Sequence, residues 1–120
     1  MRTIVLAAAI AVLMPTTRAE AACQVSPHQF TFGSDIELEA EITGGTRCPI
    51  TVRLGAKSTA QSNRITNPPA NGIARTSGAA GVIYQPRAGF TGRDAFAFLV
   101  CGRGAGRSGC STVRVRVTIQ

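Results

Sequence analysis

The sequence predicts an all-β fold, a two-sheet sandwich of about seven strands held by disulfides. Three observations carry this. Asp35–Ile42 and Thr112–Ile119 alternate strictly between polar or charged and apolar side chains, the period of a strand with one wet and one buried face. Gly and Pro interrupt the chain at short intervals and no segment holds a helical stripe, as in many-stranded β domains. Cysteines stand at 23, 48, 101 and 110, an even count in a short chain, which reads as two disulfides.

The first residues are read as a leader rather than part of the fold. Arg2 gives a cationic start, Ile4 to Met14 is an uncharged apolar run of 11 residues, Pro15 ends it, and Ala19-Glu20-Ala21 offers a small-residue cleavage site. A membrane-spanning helix needs roughly 20 apolar residues, about twice this run. Lipid attachment at Cys23 asks for an aliphatic residue where Glu20 stands. The expected organisation is a signal peptide over 1–21 and a single domain over 22–120, exported to the periplasm or beyond the cell. Its roughly 98 mature residues suffice for one modest core. Loss of Arg2, Arg18 and Glu20 takes the net charge from +7 to +6.

Strands are expected near 28–32, 36–42, 50–54, 72–76, 80–84, 93–101 and 110–119, with a weaker one within 58–65. Ile36, Leu38, Ala40 and Ile42 face a core, as do Val113, Val115, Val117 and Ile119. The acidic row Asp35, Glu37, Glu39 and Glu41 faces water. Its alternate positions stand roughly 6.5–7 Å apart, too far to converge on one calcium ion. Pairing with outward Arg114 and Arg116, and protection of a sheet edge, are its expected roles. Along 93–101 the parity that buries Phe96 and Phe98 turns Cys101 outward, and Cys110 is outward on 110–119. A cross-strand Cys101–Cys110 bond is the first choice, leaving Cys23–Cys48, although four cysteines allow three pairings.

The segment Tyr84-Gln85-Pro86-Arg87-Ala88-Gly89-Phe90-Thr91-Gly92-Arg93-Asp94-Ala95-Phe96 resembles the Y-x-P-x-x-G-F-x-G-x-D-x-F signature of bacterial immunoglobulin-like and cadherin-like repeats. Pro68-Pro69-Ala70-Asn71-Gly72 is similar to the P-P-x-x-G turn that precedes it. The resemblance covers residues 65–120 well and 28–64 loosely, and it implies an immunoglobulin-like sandwich used in adhesion or envelope contacts. The residues make sense without it. Tyr84, Phe90, Phe96 and Phe98 can bury large apolar areas. Gly89 and Gly92 permit positive φ. Asp94 follows the Gly89–Gly92 turn and can accept hydrogen bonds from its free backbone N–H groups. Family members stand in tandem and are often acidic, whereas this is one basic copy with four cysteines.

In immunoglobulin-like order the N-terminus, the second-to-third strand loop and the last hairpin loop share one end. All four cysteines are then expected at one pole, with Arg47, Arg103 and Arg107 on flexible glycine-rich loops as the contact residues. No catalytic residue, metal or cofactor is expected. His28 is the only histidine and reads as a half-exposed strand residue, and no G-x-S-x-G motif is present. Gly102–Gly109 lacks the Lys-Ser/Thr and following helix of a phosphate loop. The expected partner is an envelope or surface protein or glycan. The alternative is a polyanion such as lipopolysaccharide, an acidic glycan or extracellular DNA, held by many arginines including Arg53, Arg75 and Arg87. Specific nucleic-acid recognition is not expected, because the aromatics are committed to the core.

Overall fold

The computed structural model describes residues 3–13, 21–29 and 31–120. The expected cleavage residues Ala19 and Glu20, and Phe30 of the expected first strand, lie outside the described residues. Eight strands follow one another: β1 (Ala22–Val25), β2 (Ile36–Thr43), β3 (Cys48–Thr51), β4 (Ser58–Asn67), β5 (Gly72–Ser77), β6 (Gly81–Pro86), β7 (Gly92–Gly104) and β8 (Arg107–Ile119). They form two sheets, five strands in the order β1-β2-β8-β7-β4 and three in the order β3-β6-β5. The fold is a two-sheet β-sandwich with two disulfides.

Period-two patterning selects the inner faces. Leu38, Ala40 and Ile42 of β2, Phe96, Phe98 and Val100 of β7, and Val113, Val115, Val117 and Ile119 of β8 are buried. Cys48, Ile50, Val82 and Tyr84 meet them from the smaller sheet. Tyr84 and Phe96 stack across the core with ring centroids 5.5 Å apart, and Phe96 lies 6.3 Å from Phe98. Phe90 is only partly buried, packing on the rim with the Arg87 guanidinium 5.5 Å from its ring centroid.

Four expectations change. The segment after β1 is not a strand among its described residues, and pairing with β2 is made instead by Ala22–Val25. β3 spans 48–51 rather than 50–54, and its pairing with β6 closes with the Val52 N–H donating to the Ala80 carbonyl at 2.9 Å. The weak segment is a full ten-residue edge strand, β4, with register shifts at Ala60/Ser62 and Ile65/Asn67. The acidic strand β2 is not an edge, since it runs parallel to β8 on one side and antiparallel to β1 on the other. Its row therefore faces outward arginines, and Arg116 Nη2 reaches Glu37 Oε2 at 3.3 Å.

Both disulfides join the cysteines expected to pair. Cys23–Cys48 ties β1 of the larger sheet to β3 of the smaller across 25 residues, and Cys101–Cys110 clamps β7 to β8 across 9. A longer closed loop removes more entropy from the unfolded chain. Replacing both Cys23 and Cys48 by Ala should therefore lower urea-unfolding stability by about 1 kcal/mol more than replacing Cys101 and Cys110. Equal losses would show that loop closure does not govern their contributions.

Candidate interaction surface

The register settles where the expected contact residues lie. On β8, Cys110 is opposite Cys101 and Ile119 is opposite Gly92. Ile119 also pairs with Ile42, and Ile42 with Cys23. The Cys23–Cys48 bond thus sits nine residues along β8 from Cys110, roughly 30 Å at the rise of a strand. The two disulfides staple opposite ends of the sandwich, so the single stapled pole is corrected. Arg47 adjoins Cys48 at one end, while Arg103 and Arg107 stand at the other. The expectation failed because it took β2 for the strand whose loop neighbours the last hairpin. Parallel pairing with β8 carries the β2–β3 turn to the opposite end.

Gly102–Gly109 is not a flexible loop. β7 and β8 remain paired to Gly104 and Arg107, and only Ala105 (φ 52°) and Gly106 (φ 75°) turn the chain. Positive φ at both central residues is the type I′ turn, whose twist matches the strands it joins. The glycines serve packing. A Cβ on Gly102 would collide with the Thr59 carbonyl and come within 2.6 Å of the Phe32 ring, and one on Gly109 would lie 3.3 Å from Phe32 Cβ. The bare inner face of the hairpin is thus a seat for Phe32. The Gly33 N–H donates to Ser111 Oγ at 3.0 Å and holds the segment there.

Arg103 and Arg107 are exposed at the tip of this clamped hairpin. Lys57, also exposed, precedes Ser58, whose partner is Gly104. Neighbouring strands are about 4.8 Å apart, so three cations from β7, β8 and the β4 entry share one end. Lys57 escaped the sequence reading because β4 was not assigned to this sheet. The hint available was the glycine spacing at 102, 104 and 109, which marks a close approach rather than a loop.

The other residues singled out by sequence have structural work. Asp94 is buried on β7 and accepts hydrogen bonds from the backbone N–H of Ala70 (3.1 Å), Asn71 (3.2 Å) and Ala95 (2.9 Å) and from the Tyr84 hydroxyl (2.7 Å). It anchors the Pro68–Gly72 turn, not the Gly89–Gly92 turn that it follows in sequence and was expected to hold. Pro86 ends β6, and Gly89 and Gly92 take φ of 76° and 128° in the passage to β7. His28 is not in a strand. Its Nδ1 lies 3.0 Å from the Ser26 carbonyl, and its Nε2 accepts the Arg53 N–H at 3.1 Å. Both ring nitrogens are thereby committed to backbone.

A depression of about 740 Å³ lies on the outer face of the larger sheet, beside Glu39, Glu41, Arg93 and Arg116. The Asp94 carboxylate at its margin is already engaged. Among the described residues no three His, Cys, Asp or Glu side chains are placed to hold a metal ion, and no helix is long and apolar enough to cross a membrane. No family model matches the chain, and no curated protein matches it.

Burial, then the hydrogen bond to Asp94 and its charge, raises the Tyr84 phenol well above the usual tyrosine range. The folded protein holds this proton more tightly than the unfolded chain. Its contribution is complete below about pH 10 and is lost as pH rises through the folded-state value. Tyr84→Phe should abolish this part of the alkaline loss in melting temperature, while wild type retains it. Asp94→Ala strands the phenol and two turn N–H groups, and it should cost about 3 kcal/mol or more in chemical unfolding. A loss below about 1 kcal/mol would refute the anchor role.

Proposed function

We propose that this protein is an exported, non-enzymatic interaction module, an immunoglobulin-like sandwich serving adhesion or contact within the cell envelope. The observation that carries the reading is the disulfide-clamped β7–β8 hairpin, which presents Arg103 and Arg107 beside Lys57 on a rigid base. Pre-ordered loops on a sandwich lose little freedom on binding, which favours recognition. Cations on rigid backbone suit an anionic patch on an envelope protein or glycan.

The supporting features are of three kinds. Two disulfides are the bonds of an oxidising compartment, in line with the leader read in the first 21 residues. The division into β1-β2-β8-β7-β4 and β3-β6-β5, and the packing of Tyr84, Phe96 and Asp94 as one unit, favour the immunoglobulin-like assignment. His28 and Asp94, the residues a catalytic reading would need, are held by backbone and core partners.

The alternative is a polyanion binder whose arginines act collectively, and the chain's net charge of +7 is what favours it. The oxidised protein, immobilised and exposed to envelope extract from its own host, separates the two under rising salt. The module predicts a defined partner that survives high salt, is lost on Arg103→Ala with Arg107→Ala, and is kept on Arg47→Ala. Gradual elution at moderate salt, indifferent to which arginine is removed, would leave only the charge-driven reading.

A further inference from the structure

The two disulfides differ in ways that bear on reactivity. Cys48 is fully buried and Cys23 is partly covered, so that bond is enclosed between the sheets. Cys110 is exposed and Cys101 half-buried, and both point away from the core. They are Cα partners only 4.1 Å apart, a narrow cross-strand pair that presents its sulfurs on the open sheet face. The clamp is also not needed to close the hairpin locally. The β7–β8 ladder continues on both sides of it, from Gly92–Ile119 to Gly104–Arg107.

The charges around it are one-sided. Arg103 is two residues along the face of β7 that carries Cys101. Arg64, exposed on β4, is opposite Leu99, which flanks Cys101 on the other side. Such diagonal neighbours have Cβ atoms about 7–8 Å apart. Arg107, paired with Gly104, lies on the other face of the hairpin and stays apart from this pair of cations. The acid nearest along β8 is Asp35, and its carboxylate accepts the Thr112 N–H at 3.0 Å. A thiolate formed at Cys101 therefore sits in a positive field, which lowers its basicity and makes it the better leaving group.

We infer that Cys101–Cys110 is a thiol-exchange site, attacked at Cys110 with Cys101 as the leaving sulfur, while Cys23–Cys48 is the structural bond. The co-reactant is an external thiolate, either a small thiol or a cysteine of a partner protein. Its sulfur bonds to Cys110 Sγ, the Cys101–Cys110 bond breaks, and the electron pair leaves on Cys101 Sγ as the thiolate. One disulfide is consumed and one mixed disulfide forms, with no net oxidation. Reversal by Cys101 releases the partner and restores the clamp. Arg103 is shared with the proposed contact role, but the exchange is read from adducts at the cysteines and does not depend on that reading.

The test uses folded, oxidised protein with reduced glutathione at pH 8, quenched at intervals with acid and an alkylating agent. Tryptic peptides are then read by mass spectrometry. Cleavage at Arg93, Arg103, Arg107 and Arg114 puts Cys101 and Cys110 on separate peptides. The expected early product carries glutathione on Cys110 and alkylation on Cys101, with Cys23–Cys48 intact, forming at least tenfold faster than any adduct at Cys23 or Cys48. Arg64→Gln and Arg103→Gln should each slow it about two- to threefold, the size of one unit charge roughly 7 Å away at a wet surface. Matched melting temperatures confirm that these variants fold. First reaction at Cys23–Cys48, equal adducts on Cys101 and Cys110, or no exchange until denaturant unfolds the protein would overturn the assignment. Unchanged rates in both arginine variants would overturn the leaving-group argument.

Discussion

The Asp94 carboxylate accepts four hydrogen bonds, and three of them come from outside its own strand. The Tyr84 hydroxyl reaches it from the smaller sheet, and the Ala70 and Asn71 N–H groups reach it from the link into β5. One buried side chain thus joins β7, β6 and the crossing between the sheets. A buried carboxylate is tolerable only when its lone pairs are filled, so this geometry is all-or-none. Tyr84 stacks on Phe96, and Gly72 is bare where a Cβ would come within 2.8 Å of the Tyr84 ring. The aromatic core and the polar clamp hold each other in place.

A second constraint governs the far end. There the inner face of β7–β8 carries glycines in place of core side chains, and Phe32 fills the space. Backbone can approach so closely only where no Cβ intervenes. With Cys101–Cys110 clamping the outer side, the hairpin is held on both faces. That rigidity turns a glycine-rich tract, ordinarily a sign of looseness, into a fixed mount for Arg103 and Arg107.

Much of this was legible in the residues. Strict alternation in β2 and β8 named the buried faces, because side-chain direction in a strand has period two. Outward parity at Cys101 and Cys110 named a bond between adjacent strands. The placement of Asp94 after a glycine turn foretold an anchoring carboxylate but not the turn it holds, which is Pro68–Gly72. Less legible were β1 and β4. Neither Ala22–Val25 nor Ser58–Asn67 has a strong apolar alternation, since each is an edge strand with partners on one side only. Their strand character comes from the neighbour they pair with.

The sequence by itself determined the all-β class and the core face of the long strands, and it favoured one of three cysteine pairings. Those depend on local periodicity and face parity, which each segment carries within itself. The tertiary structure alone decided that β2 lies parallel to β8, and this sends Arg47 and the Cys23–Cys48 bond to one end and Arg103, Arg107 and the Cys101–Cys110 bond to the other. Alternation says which way a side chain points but not which strand lies beside it. Neighbours 77 residues apart are chosen by how the two sheets close over a shared core, and no local pattern records that choice.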